Sequence, residues 1–286
     1  MVIVKLQGGL GNQMFQYAAA YILSKRLKCP FKLDFNGFYY DWLNRSYSLD
    51  IFGIKAELAT KEEIDSYFLP KSYFSMRRIF KIQKRGYSII REPLDDLRYV
   101  PAYHVGKNNI YLDGYWQSDK YLKGFENEIR QLYSLDHITI PTTSLSLFEE
   151  IKSGNSVCIN VRRADFTTNS VIGFIGKEYY ERAYSKLNVL VKDPKCYIFS
   201  DDLEWCHANL DFIKDATFVC HEHAGERFTT YFKLMAFCKH FIIPNSSFAW
   251  WAAWLSNTDG HIIAPQKYLQ DANHKIEVIP ENWIKV

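Results

Sequence analysis

Short, wholly apolar runs alternate with amphipathic segments along much of this chain. The second half is the more regular: VCINV (157–161), CYIFS (196–200), TFV (217–219), FIIP (241–244) and HIIAP (261–265) are separated by helical patterns. Those patterns are EYYERAYSKLNVLVK (178–192), a segment from about Leu203, GERFTTYFKLMAFCK (225–239) and SFAWWAAWLS (247–256). Apolar strands alternating with helices predict a parallel sheet covered on both faces. Ligands of such sheets bind at the carboxyl ends of the strands.

The first half begins the same way. VIVKL (2–6) predicts a buried strand, Phe15, Ala18, Ala19, Ile22 and Leu23 keep a helical period, and FKLDF (31–35) predicts the next strand. NIYLDGYWQSDKYL (109–122) reads as a strand, a turn and a helix start. Residues 36–110 hold no sustained period and are expected to be helices and loops. Pro, Thr, Ser and Gly cluster between Asp136 and Gly154. The expectation is therefore two α/β domains, 1–145 and 146–286, the second a doubly wound parallel sheet.

The glycine-rich turn GGLGNQMFQY (8–17) follows the first strand. A dinucleotide fingerprint would need glycine where Met14 stands, and a P-loop would need a Gly-Lys-Ser/Thr triplet, which is missing. In the second half, three strands run straight into polar residues: RRADF (162–166), SDD (200–202) and PNSS (244–247). A guanidinium is a planar, permanently charged group that binds phosphate bidentately. Adjacent residues leaving a strand point to opposite sides, so one of Arg162 and Arg163 faces ligand while the other braces the fold. Asp165 is near enough to pair with either. Asp201 and Asp202 suit a ribose or base, and equally suit a helix cap. Ser246 or Ser247 is placed to cap an apolar helix whose first amides attract an anion. Trp250, Trp251 and Trp254 on that helix read as core.

The chain has 286 residues, 48% hydrophobic and 23% charged, ordinary values for a globular protein. Its net charge of +3 gives no argument for a nucleic-acid partner. Between Lys71 and Arg91 lie seven basic residues and no acidic one, with Tyr73, Met76, Ile79 and Phe80 at helical spacing. That pattern predicts a basic amphipathic helix able to touch a membrane surface. Six cysteines include no C-x-x-C pair, and with no signal-like segment or long apolar span the expected compartment is the cytoplasm, with peripheral contact at the inner membrane face. CHEHAGE (220–226) lacks the partners for a four-ligand metal centre, so no metal is expected. No Asp-x-Asp occurs to hold a cation on a nucleotide-sugar diphosphate; the expected substitutes are Arg and helix N-termini.

GGLGNQMFQYAAAY (8–21), GYWQSDKYL (114–122), NVRRADF (160–166), FSDDLEWC (199–206) and CKHFIIPNSSFAWWAAWL (238–255) together resemble the family 11 glycosyltransferases, the α-1,2-fucosyltransferases. The resemblance implies a GT-B-like fold, two Rossmann-type domains facing a cleft, the second holding GDP-fucose. It implies metal-independent transfer of L-fucose, with inversion, to the 2-hydroxyl of a galactose-terminated glycan, lipid-linked if the basic segment meets a membrane. The alternatives are a relative with another nucleotide-sugar donor, or a non-catalytic GDP-sugar-binding protein. Under the resemblance Arg162, Asp165 and Asn12 are the catalytic candidates. Arg162 matches the arginine that grips the β-phosphate, and Asn160 stands where the wider superfamily has histidine. Gly9, Gly11, Gln13, Asn160, Arg163, Asp201, Asp202, Ser246, Ser247 and Phe248 are the expected substrate contacts, with Asp201 or Asp202 reading the guanine. Asn12 would lie across the cleft from the donor. GDP-fucose is a co-substrate, and no cofactor is expected.

Overall fold

A computed structural model describes residues 1–39, 44–68, 86–92, 97–101, 109–163, 173–256, 258–269 and 276–286. The chain divides into two units, Met1–Leu132 and Tyr133–Val286, so the segment 133–145 belongs to the second.

The first unit is built on four parallel strands in the order β2-β1-β4-β3: β1 (Val2–Lys5), β2 (Phe31–Asp34), β3 (Tyr87–Arg91) and β4 (Asn109–Asp113). The first helix, α1 (Leu10–Leu27), follows β1 directly and stops where Lys28 turns into the left-handed region at φ 51°. Most of its surface is buried, including Phe15, Ala18, Ala19 and Ile22. The short α2 (Lys61–Asp65) starts with a capping box, Thr60 and Glu63 each bonding the other's backbone N–H. The unit ends with α3 (Glu126–Leu132).

Strand β3 corrects the sequence reading of residues 36–110, which expected no strand there. Its five residues, YSIIR, are too few to show a period inside an aromatic and basic stretch, yet they pair in register with all of β4. Arg91, the last basic residue of the expected amphipathic helix, is thus in a strand. Residues 69–85 of that helix lie outside the described residues.

The second unit carries six parallel strands in the order β10-β9-β8-β5-β6-β7. They are β5 (Ser156–Val161), β6 (Lys195–Ser200), β7 (Thr217–Val219), β8 (His240–Ile242), β9 (Ile262–Ala264) and β10 (Ile284–Lys285). Between them run α4 (Thr142–Ser153), preceding β5, then α5 (Lys177–Leu190), α6 (Leu203–Asn209), α7 (Thr229–Ala236) and α8 (Ser247–Leu255). All of β5 is buried, and Val157, Ile159 and Val161 pack with Tyr179, Tyr180, Ala183 and Leu187 of α5. Trp250 and Trp251 are fully buried, and the Trp250 Nε1–H donates to the Val278 carbonyl at 2.9 Å, so they serve as core.

Each sheet reverses direction around its first strand. In the first, β1 lies between β2 and β4; in the second, β5 lies between β6 and β8. Connections leave such a strand toward opposite sides, which opens a crevice beyond its carboxyl end. The glycine turn follows β1, and Arg162-Arg163 follows β5. Each unit therefore presents its distinctive motif at its own switch point.

Candidate functional site

At the end of β1 the backbone turns through Gly8, at φ +77°. A Cβ there would sit 2.4 Å from Asn12 Nδ2, so both the dihedral and the space call for glycine. Gly9 is the residue before α1, extended at φ −75°, and Gly11 is buried inside the helix's first turn. The fully buried Gln13 carboxamide donates to the Gly8 and Ser46 carbonyls, both at 2.9 Å, and accepts from the Ser48 N–H at 2.9 Å. Gln16, also fully buried, accepts from the Gln7 N–H at 3.0 Å and donates to the Gly114 carbonyl at 3.2 Å. Gln117 donates to Asn12 Oδ1 at 2.7 Å. This corrects the expectation for Gln13: both of its donor hydrogens and its oxygen are spent on backbone, so it braces the turn instead of meeting substrate. Gln16 and Gln117 were not singled out from sequence, although both stand in the quoted blocks.

At the end of β5 the two arginines divide. The Arg163 guanidinium lies over the Trp205 ring at 4.4 Å and the Phe174 ring at 4.7 Å. Its Nε donates to Asp202 Oδ2 at 3.1 Å, and its side chain is only 14% exposed. Sandwiched between two rings, Arg163 braces the fold, with its buried Nη1 left without a hydrogen-bond partner among the described residues. Arg162 is 35% exposed, and its Nη1 meets Asp201 Oδ2 at 2.6 Å. Asp201 Oδ1 also accepts the Arg163 backbone N–H at 2.9 Å, so one carboxylate fixes both the backbone and the neighbouring guanidinium.

These contacts revise the roles of the acidic pair. Asp202 accepts from the Trp205 N–H at 3.0 Å and caps α6, the alternative that the sequence left open. Its backbone N–H is in turn bonded to Ser200 Oγ at 2.9 Å. Asp202 is thus committed to the cap and to Arg163, while Asp201 Oδ2, ion-paired with Arg162, makes no hydrogen bond among the described residues. Asn160 is buried and donates to the Phe199 carbonyl at 3.1 Å, stitching β5 to β6. The Tyr180 hydroxyl donates to the Asn160 carbonyl at 3.1 Å. Burial holds this phenol well above its ordinary pKa, so it stays a neutral donor. Trp205 and Phe174 were missed because nothing in the spacing links them to Arg163; the abundance of aromatic residues was the only signal.

At the end of β8, Ser246 occupies the N-cap position of α8 without a side-chain capping bond. The expected hydroxyl cap is therefore not made by Ser246. Its carbonyl accepts the Trp250 N–H at 2.9 Å, and the hydroxyl group is carried into the buried turn. The preceding Asn245 donates to the Gly173 carbonyl at 3.1 Å, tying this turn to the segment ahead of α5. Ser247 opens the helix, and the Phe248 ring packs against Phe232 at 4.8 Å. Tyr179 donates to the Ile243 carbonyl at 2.6 Å and the Ile263 carbonyl at 3.3 Å, which locks the ends of β8 and β9 together. Asp165 and Phe166 lie outside the described residues.

Among the described residues, no three His, Cys, Asp or Glu side chains gather as a metal site. His223, from the CHEHAGE segment, instead meets the Ser144 hydroxyl at 2.9 Å through Nδ1. Cys158, Cys196, Cys206 and Cys238 are buried thiols, and burial pushes Cys196 up to about 12 and Cys206 up to about 11. Such thiols are poor nucleophiles. No helix among the described residues is long and apolar enough to cross a membrane.

The second unit thus gathers two arginines, two carboxylates and a helix N-terminus at one sheet edge. The four side-chain charges cancel, so any attraction for an anion comes from how they are placed and from the helix amides. Comparison with known proteins agrees with the blocks read from sequence. An α-1,2-colitosyltransferase of Escherichia coli is 29% identical over all of this chain and 99% of its own length. A galactoside α-(1,2)-fucosyltransferase 1 of Rattus norvegicus is 24% identical over 64% of this chain and 52% of its own. Among solved structures, a mutant of Arabidopsis thaliana FUT1 in complex with GDP shares the fold at a TM-score of 0.50, with 13% identity, covering 94% of this chain and 71% of that one. The profile of glycosyl transferase family 11 matches residues 1–286, the whole chain, and the protein accordingly belongs to that family of glycosyltransferases.

Proposed function

We propose that the protein transfers L-fucose from GDP-fucose to the 2-hydroxyl of a galactose in a glycan acceptor, with inversion and without a metal. The observation that carries this reading is the division of labour after β5. Arg163 is stacked between two rings and tied to Asp202, while the more exposed Arg162, paired with Asp201, follows β5 at the switch point of the sheet. The α-1,2 linkage is shared by the names of the colitosyl and fucosyl relatives.

Cleaving the fucosyl–phosphate bond leaves positive charge on the anomeric carbon and negative charge on GDP. Arg162 is the group we assign to the departing diphosphate. Its planar fork suits two phosphate oxygens, and Asp201 orients that fork in advance. The N-terminus of α8, at Ser246 and Ser247, adds a partial positive charge on the neighbouring strand. Both groups act where charge develops, and removing one such donor typically costs about 10²–10³ in rate. The acceptor hydroxyl attacks from the face opposite the diphosphate. Asp165 is the candidate to take its proton, and a dissociative path asks little of that base. Asn12, with its carboxamide oriented by Gln117, remains the candidate of the first unit for a hydrogen bond near the reacting carbon.

A second reading concerns the donor sugar. Colitose is fucose without its 3-hydroxyl, and a full-length relative is named for transferring it. A site that hydrogen-bonds a substrate hydroxyl rejects the deoxy analogue strongly, whereas an apolar one discriminates weakly. Incubation with GDP-fucose or GDP-colitose, a panel of galactose-ended glycans and a chelator separates the readings. The proposal requires a product carrying fucose on the galactose 2-hydroxyl in the presence of chelator. Product only from GDP-colitose moves the assignment to the deoxy sugar. Another linkage, or loss of activity with chelator, contradicts it.

A further inference from the structure

We propose that Phe228, on the loop between β7 and α7, is the stacking platform for the base of the nucleotide donor. The proposal rests on the donor reading above and adds a recognition residue that the sequence motifs did not include.

The loop is built to present this ring. Helix α7 was expected to begin at Gly225 and instead begins at Thr229. The intervening residues leave helical geometry: Gly225 has φ +68°, Arg227 +51° and Phe228 +61°. Two successive non-glycine residues in the left-handed region form a conformation that L side chains rarely adopt, and such backbone persists only where its surroundings enforce it. Here they do. A Cβ on Gly225 would lie 2.2 Å from the buried Thr230 Oγ1, so the loop closes against the helix only with glycine. The Tyr231 N–H donates to the Ala224 carbonyl at 3.1 Å, and the Thr229 hydroxyl donates to the Glu226 carbonyl at 2.8 Å. The result is a closed, preorganised loop whose most apolar side chain, Phe228, remains 50% exposed.

Its position gives the ring a ligand. Phe228 stands perpendicular to His221 at 6.0 Å and to Tyr231 at 6.3 Å. Tyr231 packs on Phe199 of β6 at 5.0 Å and donates its hydroxyl to the Ser200 carbonyl at 3.3 Å. Burial keeps this phenol neutral by raising it far above its ordinary range. The aromatic chain thus runs from Phe228 to Ser200, and Asp201, the next residue, holds Arg162. Along the sheet the strand order is β8-β5-β6-β7, with α8 following β8, Arg162 following β5, Asp201 following β6, and the Phe228 loop, which follows β7 in the chain, reaching β6 through Tyr231. Neighbouring strands are about 4.8 Å apart, so β5 and β7 are separated by about 10 Å. That edge accommodates a nucleoside diphosphate laid across it, with phosphates toward Arg162 and base toward Phe228. A purine offers the larger π face. A ring held rigid before the ligand arrives loses little freedom on binding it.

Calorimetric titration of GDP into the wild-type protein and into Phe228→Ala, Phe228→Leu and Phe228→Trp tests this assignment. Base–aromatic stacking is worth about 1–3 kcal/mol by alanine substitution, which converts to a Kd raised about 5- to 150-fold in Phe228→Ala. Phe228→Leu keeps apolar bulk without a π face and should stay weakened, while Phe228→Trp should bind as the wild type does. An exposed ring of this kind contributes little to the fold, so thermal midpoints should stay within a few degrees. Wild-type affinity in Phe228→Ala, or full recovery in Phe228→Leu, overturns the platform and leaves the donor reading standing. A wild-type protein that does not bind GDP contradicts the donor reading itself, and the platform with it.

Discussion

Strands β1 and β5 are the first strands of their units, each flanked on both sides in a parallel sheet, and each ends in a conspicuous motif. The two ends are held together by different chemistry. After β1, neutral carboxamides do the holding: Gln13 and Gln16 bond backbone groups on both sides of the turn, and Gln117 orients Asn12. After β5 the ties are ionic, Arg162 to Asp201 and Arg163 to Asp202, with Arg163 packed between rings. An amide network fixes a backbone path with no net field. An array of charges can also reorganise around an incoming anion. Under the proposed function, the first turn supplies shape and the second charge compensation.

Three substitutions sharpen or break that contrast, and a fourth tests the second sheet away from it. The largest effect is expected on catalysis. Arg162→Ala should lower the rate of GDP release from GDP-fucose, with acceptor present, by about 10²–10³ while leaving the unfolding midpoint near that of wild type. A loss below tenfold would remove charge compensation from the β5 end. Next comes a loss of stability. Gln13→Ala leaves the Gly8 and Ser46 carbonyls and the Ser48 N–H without their partner, which should cost about 3 kcal/mol in denaturant unfolding. A variant of normal stability that fails only in turnover would show that Gln13 is functional rather than a brace. Smaller still, Arg163→Lys keeps the charge but loses the planar stack over Trp205 and Phe174, with an expected cost of about 1–2 kcal/mol. A variant as stable as wild type would mean that the stack contributes nothing to the fold.

The smallest effect is a pH dependence away from both motifs. His240 is buried, and its Nδ1 accepts the His261 N–H at 2.9 Å, an arrangement that requires the neutral ring. Burial first, then His261 and Lys239, lower its pKa to about 4. Below about pH 6.5 the unfolded chain takes up a proton that the folded protein refuses. This group's contribution is therefore complete above pH 6.5 and declines as pH falls toward 4. His240→Asn keeps an acceptor without a titrating ring. Stability measured from pH 4 to 8 should then show a shallower acid limb. An unchanged limb would place the dependence elsewhere.

The regular elements were legible wherever a strand was a continuous apolar run between helical patterns, as for β5, β6, β7, β8 and β9. Strand β3 was not, because five residues with one serine and two isoleucines carry no period. The two-residue β10 is shorter than any pattern. Helix α7 began later than its apolar spacing suggested, since the left-handed backbone of Arg227 and Phe228 leaves no trace in hydropathy. At the candidate site, the polar residues picked out from the sequence do follow the ends of β5, β6 and β8. The sequence could not say which arginine was the brace, because that depends on Trp205 and Phe174, brought to Arg163 by folding. Nor did it show that Gln13 is spent on backbone: a glutamine in the first turn of a helix looks the same whether its carboxamide faces inward or out.

The central claim is that the Arg162 guanidinium compensates the diphosphate of a guanine nucleotide. Titration of GDP and of guanosine into wild type and Arg162→Ala tests it most directly, because the two ligands share a base and differ in their phosphates. Wild type should bind GDP far more tightly than guanosine, and Arg162→Ala should lose most of that difference while keeping its affinity for guanosine. An unchanged preference for GDP in Arg162→Ala would contradict the account.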